Sequence, residues 1–282
     1  MSLGALIHHH VIHLLAKKLH IDLAKNMPIP PKSFFKKYMV TSKTISGRNV
    51  HYLQQQLMKS HTAIIYLHGG GYLTNFTIQH WRLIDKLMKC AKVDVICPDY
   101  PLVPKTYVDS YQMLDTLYDE LIRSYPSVIL MGDSAGGGFA CGFLQYLKIN
   151  QKTLPSKSIL ISPWLDVSMS NPMILEASKL DPWLELEKIV PAGKQYAIGN
   201  TKHYMVSPIY GDFFGLTPIK IITGTYDILY PDIQLLEEQT KSNQYNITFS
   251  IYPKMLHVFP LLAIKEGRLA IQEMIETICE GD

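Results

Sequence analysis

The sequence predicts an α/β protein with a mostly parallel sheet of about eight strands, helices on both faces and a helical cap. Short apolar runs rich in β-branched residues alternate with longer segments of helical period. These runs are apolar almost throughout, which is typical of parallel strands buried on both faces. The composition is that of a globular protein, with 282 residues, 47% of them hydrophobic and 18% charged. We therefore expect a single domain over residues 1–282.

The predicted strands begin with a hairpin, in which Ser46-Gly47 joins two short alternating stretches at 39–45 and 48–54. Six apolar runs follow, at 62–67, 93–97, 128–131, 158–161, 219–223 and 247–252. The predicted helices between and after them cover 78–88, 108–122, 139–149, 233–240 and 261–278. Reactive groups in such a fold are expected at the carboxyl ends of the strands.

The first residues have apolar side chains at helical spacing over 3–15, interrupted by four histidines and followed by lysines. This order is unlike a signal peptide, so the segment is predicted to be an amphipathic helix of the fold. A helix lying on a membrane surface is the alternative. No apolar run approaches the ~18 to 20 residues of a membrane span, so we expect no stable membrane insertion. A cytoplasmic location is expected.

Charge and cysteine content exclude several classes of function. The net charge is +3 and is not concentrated in a basic tract, which argues against nucleic-acid binding. The four cysteines form no C-x-x-C pair, so neither a disulfide framework nor a zinc site is expected.

The interval between residues 161 and 219 breaks the alternation of strands and helices. It contains several prolines, helical pieces near 172–179 and 185–197, and the aromatic residues Trp164, Trp183 and Tyr196. Long insertions of this kind are usually functional covers or disordered. The apolar content predicts a folded cover over the strand ends.

A candidate nucleophile lies at the end of the 128–131 run. Gly132-Asp133-Ser134-Ala135-Gly136 has the pattern Gly-x-Ser-x-Gly and is followed by a helix. A sharp strand-to-helix turn exposes the serine oxygen, and the helix amino terminus favours nearby negative charge. A glycine-rich packing turn is the alternative interpretation.

A second glycine-rich loop, His68-Gly69-Gly70-Gly71-Tyr72, follows the 62–67 run. It lacks both Gly-x-Gly-x-x-Gly and Gly-Lys-Ser/Thr, so a nucleotide-binding loop is a poor interpretation. Backbone N–H groups free of side chains suit an oxyanion hole. His68 is predicted to brace this loop rather than to react.

A serine nucleophile needs a base and an orienting carboxylate, which in folds with this turn follow the serine along the chain. His257 follows the 247–252 run by a short loop and is favoured over His203, which lies in the predicted cover. Asp227 follows the preceding strand and is the favoured acid. Asp166 and Asp232 remain alternatives.

With these motifs in place, residues 40–280 resemble the hormone-sensitive-lipase-like branch of the α/β-hydrolase esterases. The segments that carry the resemblance are 68–72, 98–104, 132–137, 162–166, 224–229 and 257–259. The resemblance implies a triad of Ser134, Asp227 and His257. It also implies that the amides of Gly70, Gly71 and Ala135 form the oxyanion hole, and that residues 1–38 and 165–206 form the cap.

Two departures from the family pattern concern loops near the predicted site. Pro101 stands where the family commonly has arginine, and Pro231 stands where it tends to have an acidic residue, with Asp232 one position later. Neither departure affects the triad. Substrate preference therefore cannot simply be carried over from the family.

The expected activity is hydrolysis of short-chain carboxylic esters through an acyl-enzyme on Ser134, with a small-molecule ester as substrate and no metal or organic cofactor. Tyr72 and Phe76 are predicted to contact the substrate, with ordinary core packing as the alternative. A homodimer is possible. The alternative functions are amide or formamide hydrolysis, as in an arylformamidase or peptidase, and a non-catalytic ligand receptor on the same fold.

Overall fold

A computed structural model of the chain describes residues 25–56 and 60–280. Eight strands within these residues form one sheet. They are β1 (Met39–Ile45), β2 (Arg48–Gln54), β3 (Thr62–Leu67), β4 (Asp94–Pro98), β5 (Ser127–Asp133), β6 (Lys157–Ile161), β7 (Ile219–Tyr226) and β8 (Ile247–Leu256). The predicted hairpin and all six predicted apolar runs are therefore strands.

The strands lie in the order β1-β2-β4-β3-β5-β6-β7-β8. β2 pairs antiparallel with both β1 and β4, whereas every pairing from β4 to β8 is parallel. The mostly parallel eight-stranded sheet predicted from the sequence is thus confirmed. Because β5, β7 and β8 run in the same direction, their carboxyl ends lie along one edge of the sheet.

Helices within the described residues connect the strands. They are α1 (Phe34–Lys37), α2 (Ile78–Ala91), α3 (Tyr107–Ser124), α4 (Ser134–Ile149), α5 (Ile174–Ala177), α6 (Leu186–Tyr196), α7 (Tyr230–Asn243) and α8 (Lys265–Cys279). Short 3₁₀ turns occupy Pro208–Tyr210 and Phe259–Leu261. Among the helices described here, none is both long and apolar enough to span a bilayer.

The core lies on both faces of the sheet. α3, α4 and α7 pack on one face, and α2 and α8 pack on the other. Successive residues of β3 alternate between the two layers, with Ile65 on the first face and Ile64 on the second. Both are fully buried, which explains why the strands are apolar without a polar face.

The segment between β6 and β7, residues 162–218, contains α5, α6 and the first 3₁₀ turn. Trp164 and Tyr196 from this segment are buried, which agrees with the expectation of a folded insertion. The predicted amphipathic helix over 3–15 lies outside the described residues.

Candidate active site

The sharp turn between β5 and α4 carries Ser134. β5 ends at Asp133 and α4 begins at Ser134, whose φ of 52° lies in the left-handed region that non-glycine residues rarely adopt. The turn packs closely against the end of β3, because a Cβ on Gly136 would overlap the carbonyl oxygen of Leu67. The Ser134 hydroxyl is therefore held at the carboxyl edge of the sheet and at the amino end of α4.

Hydrogen bonds connect Ser134 to His257 and His257 to Asp227. His257 directly follows β8, and Asp227 directly follows β7. Ser134 Oγ lies 2.9 Å from His257 Nε2, and His257 Nδ1 lies 2.9 Å from Asp227 Oδ2. An ionised carboxylate can only accept, so Nδ1 carries the ring proton and Nε2 accepts from the hydroxyl. Asp227 Oδ1 accepts the N–H of Leu229 at 2.9 Å, which fixes the carboxylate.

The negative charges around His257 raise its pKa by more than burial lowers it. Burial lowers the pKa of the ring, but the charge and hydrogen bond of Asp227 raise it, and the carboxylates of Asp181 and Asp133 add to this effect. The net result is a His257 pKa above its ordinary value of 6.5. The surrounding carboxylates thus favour a positively charged ring.

This raised pKa predicts where activity is lost in acid. A histidine that acts as a general base must be neutral, so the role expected of His257 requires its unprotonated ring. We expect kcat/KM for p-nitrophenyl acetate to fall as the pH drops through a value above 6.5. The measurement is a pH–rate profile read at a wavelength insensitive to nitrophenol ionisation, with spontaneous hydrolysis subtracted. An acid limb centred at or below pH 6.5 would contradict the raised pKa of His257.

The glycine loop after β3 lies beside Ser134. Gly70 and Gly71 have φ values of 115° and 64°, and a Cβ on Gly70 would overlap Thr74. In the described part of the chain, the amides of Gly70 and Gly71 donate to no acceptor. Both residues line the same cavity as Ser134, and Ala135 contributes an amide in the first turn of α4.

Asp133 connects the glycine loop after β3 to the turn that carries Ser134 through hydrogen bonds. Its Oδ1 accepts the hydroxyl of Tyr66 at 2.8 Å and the N–H of Gly69 at 3.0 Å. His80 Nδ1 accepts the N–H of Thr77, so His80 Nε2 carries the proton and donates to Asp133 at 3.3 Å. Burial raises the Asp133 pKa, but His80 and Tyr66 outweigh it and lower the pKa. Sequence reasoning missed both Asp133 and His80, although Asp133 lies within the serine motif.

A cavity of about 280 Å³ opens onto Ser134 and His257. Its apolar lining residues are Leu73, Trp164, Trp183, Leu184, Ile189, Leu229, Val258 and Leu261. Glu185 and Lys188 are the charged cavity residues contributed by α6 and its N-cap position. The β6–β7 segment therefore supplies much of the wall around the serine.

The structure places Tyr72 and Phe76 behind this cavity rather than on its wall. Both are fully buried. The ring of Tyr72 stacks on Tyr196 with centroids 3.8 Å apart, and its hydroxyl donates to the Ala135 carbonyl at 3.0 Å. Phe76 stacks on Trp81. The two aromatic residues predicted to contact substrate instead pack the loop after β3 against its neighbours.

The two alternative acids, Asp166 and Asp232, make their hydrogen bonds away from His257. Asp166 accepts hydrogen bonds from three serines and a tyrosine, Ser168, Ser170, Ser207 and Tyr210. Asp232 lies in α7 and accepts the side-chain N–H of Asn171 at 2.9 Å. Burial raises the pKa of Asp232 to about 6. Asp227 is the one of the three that hydrogen-bonds His257 in the described residues.

The alternative histidines are also separate from Ser134. His68 is fully buried and stacks on Tyr100 with centroids 4.4 Å apart, and burial lowers its pKa to about 3. His203 accepts the N–H of Met205 within the β6–β7 segment. Across residues 25–56 and 60–280, no group of three or more His, Cys, Asp or Glu side chains could hold a metal ion.

Comparison with known proteins identifies the family of this chain. A family described as having the α/β-hydrolase fold matches residues 64–261. An acetyl-hydrolase of Streptomyces hygroscopicus is 30% identical over 224 residues, covering 74% of this chain and 72% of the relative. An esterase of Acinetobacter venetianus is 26% identical over 221 residues, covering 76% and 73%.

Solved structures agree with the sequence comparisons. A Staphylococcus aureus protein provisionally assigned as an esterase superimposes with a TM-score of 0.84 and 30% identity, covering 96% of this chain and 92% of that one. An esterase of the bacterial hormone-sensitive lipase family superimposes with a TM-score of 0.79 at 23% identity, covering 86% and 84%, and supports the fold. The chain therefore belongs to the α/β-hydrolase fold family, and it is a carboxylic ester hydrolase of that family.

Proposed function

We propose that the chain hydrolyses short-chain carboxylic esters through an acyl-enzyme formed on Ser134. The observation that carries this proposal is the hydrogen-bonded chain from Asp227 through His257 to Ser134 Oγ, at the edge of an apolar cavity. A serine hydroxyl is a weak nucleophile unless a neighbouring base accepts its proton. Here the base is already within hydrogen-bonding distance and in the required tautomer.

In the first step, Ser134 Oγ attacks the ester carbonyl carbon while His257 Nε2 takes the hydroxyl proton. The carbonyl π electrons move to the oxygen, which becomes an oxyanion. Asp227 holds Nδ1 and stabilises the imidazolium. When the intermediate collapses, the bond to the alcohol oxygen breaks and His257 returns the proton to that oxygen, leaving the acyl group on Ser134.

In the second step, His257 takes a proton from water as the water oxygen attacks the acyl carbon. The bond to Ser134 Oγ then breaks, the proton returns to that oxygen, and the carboxylic acid leaves. In both steps the oxyanion accepts hydrogen bonds from the amides of Gly70, Gly71 and Ala135, and the amino end of α4 favours its charge.

The size and chemistry of the cavity support small acyl groups. Its volume of about 280 Å³ is just below the roughly 300–1,000 Å³ that is typical of ligand pockets. The relatives named acetyl-hydrolase agree with a short chain. In this proposal residues 165–206 form a cap that limits the length of the substrate.

A chain-length series tests the substrate class. We expect kcat/KM for p-nitrophenyl esters to be greatest at two to four acyl carbons. For octanoate and longer chains it should fall by about ten- to a hundredfold, because methylenes that do not fit the pocket cost 1–3 kcal/mol. The alcohol is the same throughout, so the series reports the acyl site alone. A maximum at long chains would contradict the proposal and indicate a lipase.

A further inference from the structure

Asp181 is a buried carboxylate between α5 and α6 that no step above uses. The residue is only 8% exposed. Oδ1 accepts the N–H groups of Trp183 and Leu184 at 2.8 and 3.1 Å. Oδ2 accepts the N–H of Ile228, 47 residues further along the chain, at 2.9 Å. One carboxylate therefore joins two segments that are distant in sequence.

Both segments belong to the site. Trp183 and Leu184 line the cavity beside Ser134. Ile228 directly follows Asp227, and the next amide, that of Leu229, donates to Asp227 Oδ1. Two consecutive amides thus donate to two different carboxylates. Asp181 holds the peptide immediately after the triad acid, while Asp227 holds the one after that.

Local turn geometry explains only half of this arrangement. An aspartate commonly accepts the N–H two residues on, and Pro182 suits the intervening position. That accounts for the bonds to Oδ1 but not for the bond from Ile228 to Oδ2. A second buried carboxylate close to Asp227 is also unfavourable, since burial and the Asp227 charge both raise the Asp181 pKa. A neutral Ser or Asn could have capped the same turn without this cost.

We propose that Asp181 is a positioning residue of the hydrolytic reaction: its carboxylate holds the peptide after Asp227 against the cavity wall. A negative charge at this position also acts on the nearby imidazole of His257. The inference rests on the triad proposed above. Three N–H groups donate to Asp181, and the two oxygens of its side chain have enough lone pairs to accept all three. Cavity wall and triad acid are thereby held in one relative position.

Several charged groups face His257 from the elements packed around it. Asp227 follows β7, Asp181 lies in the β6–β7 segment and Asp133 ends β5, and all three favour the charged ring. The other titratable groups on the same cavity wall are Glu185, Lys188 and His80. Removing the Asp181 charge should therefore shift the titration of His257 without eliminating it.

Asp181→Asn tests both parts of the proposal. The variant keeps the shape of the side chain but replaces one accepting oxygen with an NH₂ group that cannot accept. We expect kcat for p-nitrophenyl acetate to fall about ten- to a hundredfold, because a small displacement of the triad has effects of this size. The acid limb of kcat/KM should move to lower pH by at least about half a unit, since a negative charge near His257 is lost.

Asp166→Asn is the matched control. Asp166 is also buried in the β6–β7 segment and also accepts a backbone N–H, that of Ser168 at 2.8 Å. None of its hydrogen-bond partners belongs to the loop after Asp227. We expect this control to lower thermal stability while the acid limb stays in place. An unmoved limb in Asp181→Asn, or an equal shift in both variants, would overturn the proposal.

If Asp181→Asn fails to fold, residue-resolved amide hydrogen exchange on the unsubstituted enzyme decides. The amides of Trp183, Leu184 and Ile228 share one acceptor group, so we expect their protection to agree within about threefold. Protection of Ile228 that differs more than about tenfold from the other two would refute a shared anchor. Activity retained by Ser134→Ala would refute the triad itself, so the two failures are distinguishable.

Discussion

Replacing Ser134 with alanine is expected to lower kcat by about a millionfold, because removal of the nucleophile from a comparable triad has an effect of that size. The fold should persist, since Ser134 lies at a turn whose close packing depends on Gly132 and Gly136 rather than on the hydroxyl. The measurement is p-nitrophenyl acetate turnover, with intact-mass detection of the label after treatment with a serine-directed organophosphate. Alanine at position 134 should abolish both turnover and labelling.

Ser178→Ala is the control for this experiment. Ser178 lies in the β6–β7 segment, and its hydroxyl donates to the carbonyl of Leu175, outside the cavity. We expect turnover and labelling of this variant to match the unsubstituted enzyme. Turnover by Ser134→Ala above the spontaneous rate would exclude the acyl-enzyme mechanism, and an unsubstituted enzyme without turnover or labelling would favour a ligand receptor.

Replacing Asp227 with asparagine is expected to lower kcat about ten-thousandfold near neutral pH. The amide nitrogen of asparagine can only donate to His257, so the ring would adopt the tautomer that has its proton on Nε2. That proton would then face the Ser134 hydroxyl, and the base could no longer accept. Circular dichroism and thermal unfolding check that the fold is retained.

Asp232→Asn separates the role of Asp227 from that of a nearby carboxylate. Asp232 lies five residues further on, in α7, and its carboxylate accepts a hydrogen bond from the side chain of Asn171. We expect its kcat to change by less than about tenfold, because neither side chain touches the triad. A greater loss in Asp232→Asn than in Asp227→Asn would reassign the acid.

Local sequence patterns were sufficient to predict the sheet and to bring the triad candidates to one edge. The hairpin at Ser46-Gly47 has the predicted bounds, and each β-branched run is a strand. Parallel strands place their carboxyl ends together, so residues just after β5, β7 and β8 could be predicted to meet. The alternation of elements therefore carries information about contacts between residues as distant as Ser134 and His257.

Contacts that depend on side-chain direction could not be predicted in the same way. The sequence predicts that Tyr72 and Phe76 contact substrate, whereas in the structure both rings are buried in the core. The His80–Asp133 contact spans 53 residues and joins the middle of one connection to the end of a strand. Periodicity reports which face of an element is buried, but not which distant polar group it meets.

The spacing of the triad along the chain has a consequence for synthesis of the protein. Ser134 and His257 are 123 residues apart, and the histidine follows β8, the last strand of the sheet. At ordinary elongation rates a ribosome adds that length in roughly 6 to 25 s. Throughout this interval the nascent chain already contains Ser134 but lacks the imidazole proposed to activate it. In the proposed mechanism, esterase activity therefore begins only after β8 has been made and added to the sheet.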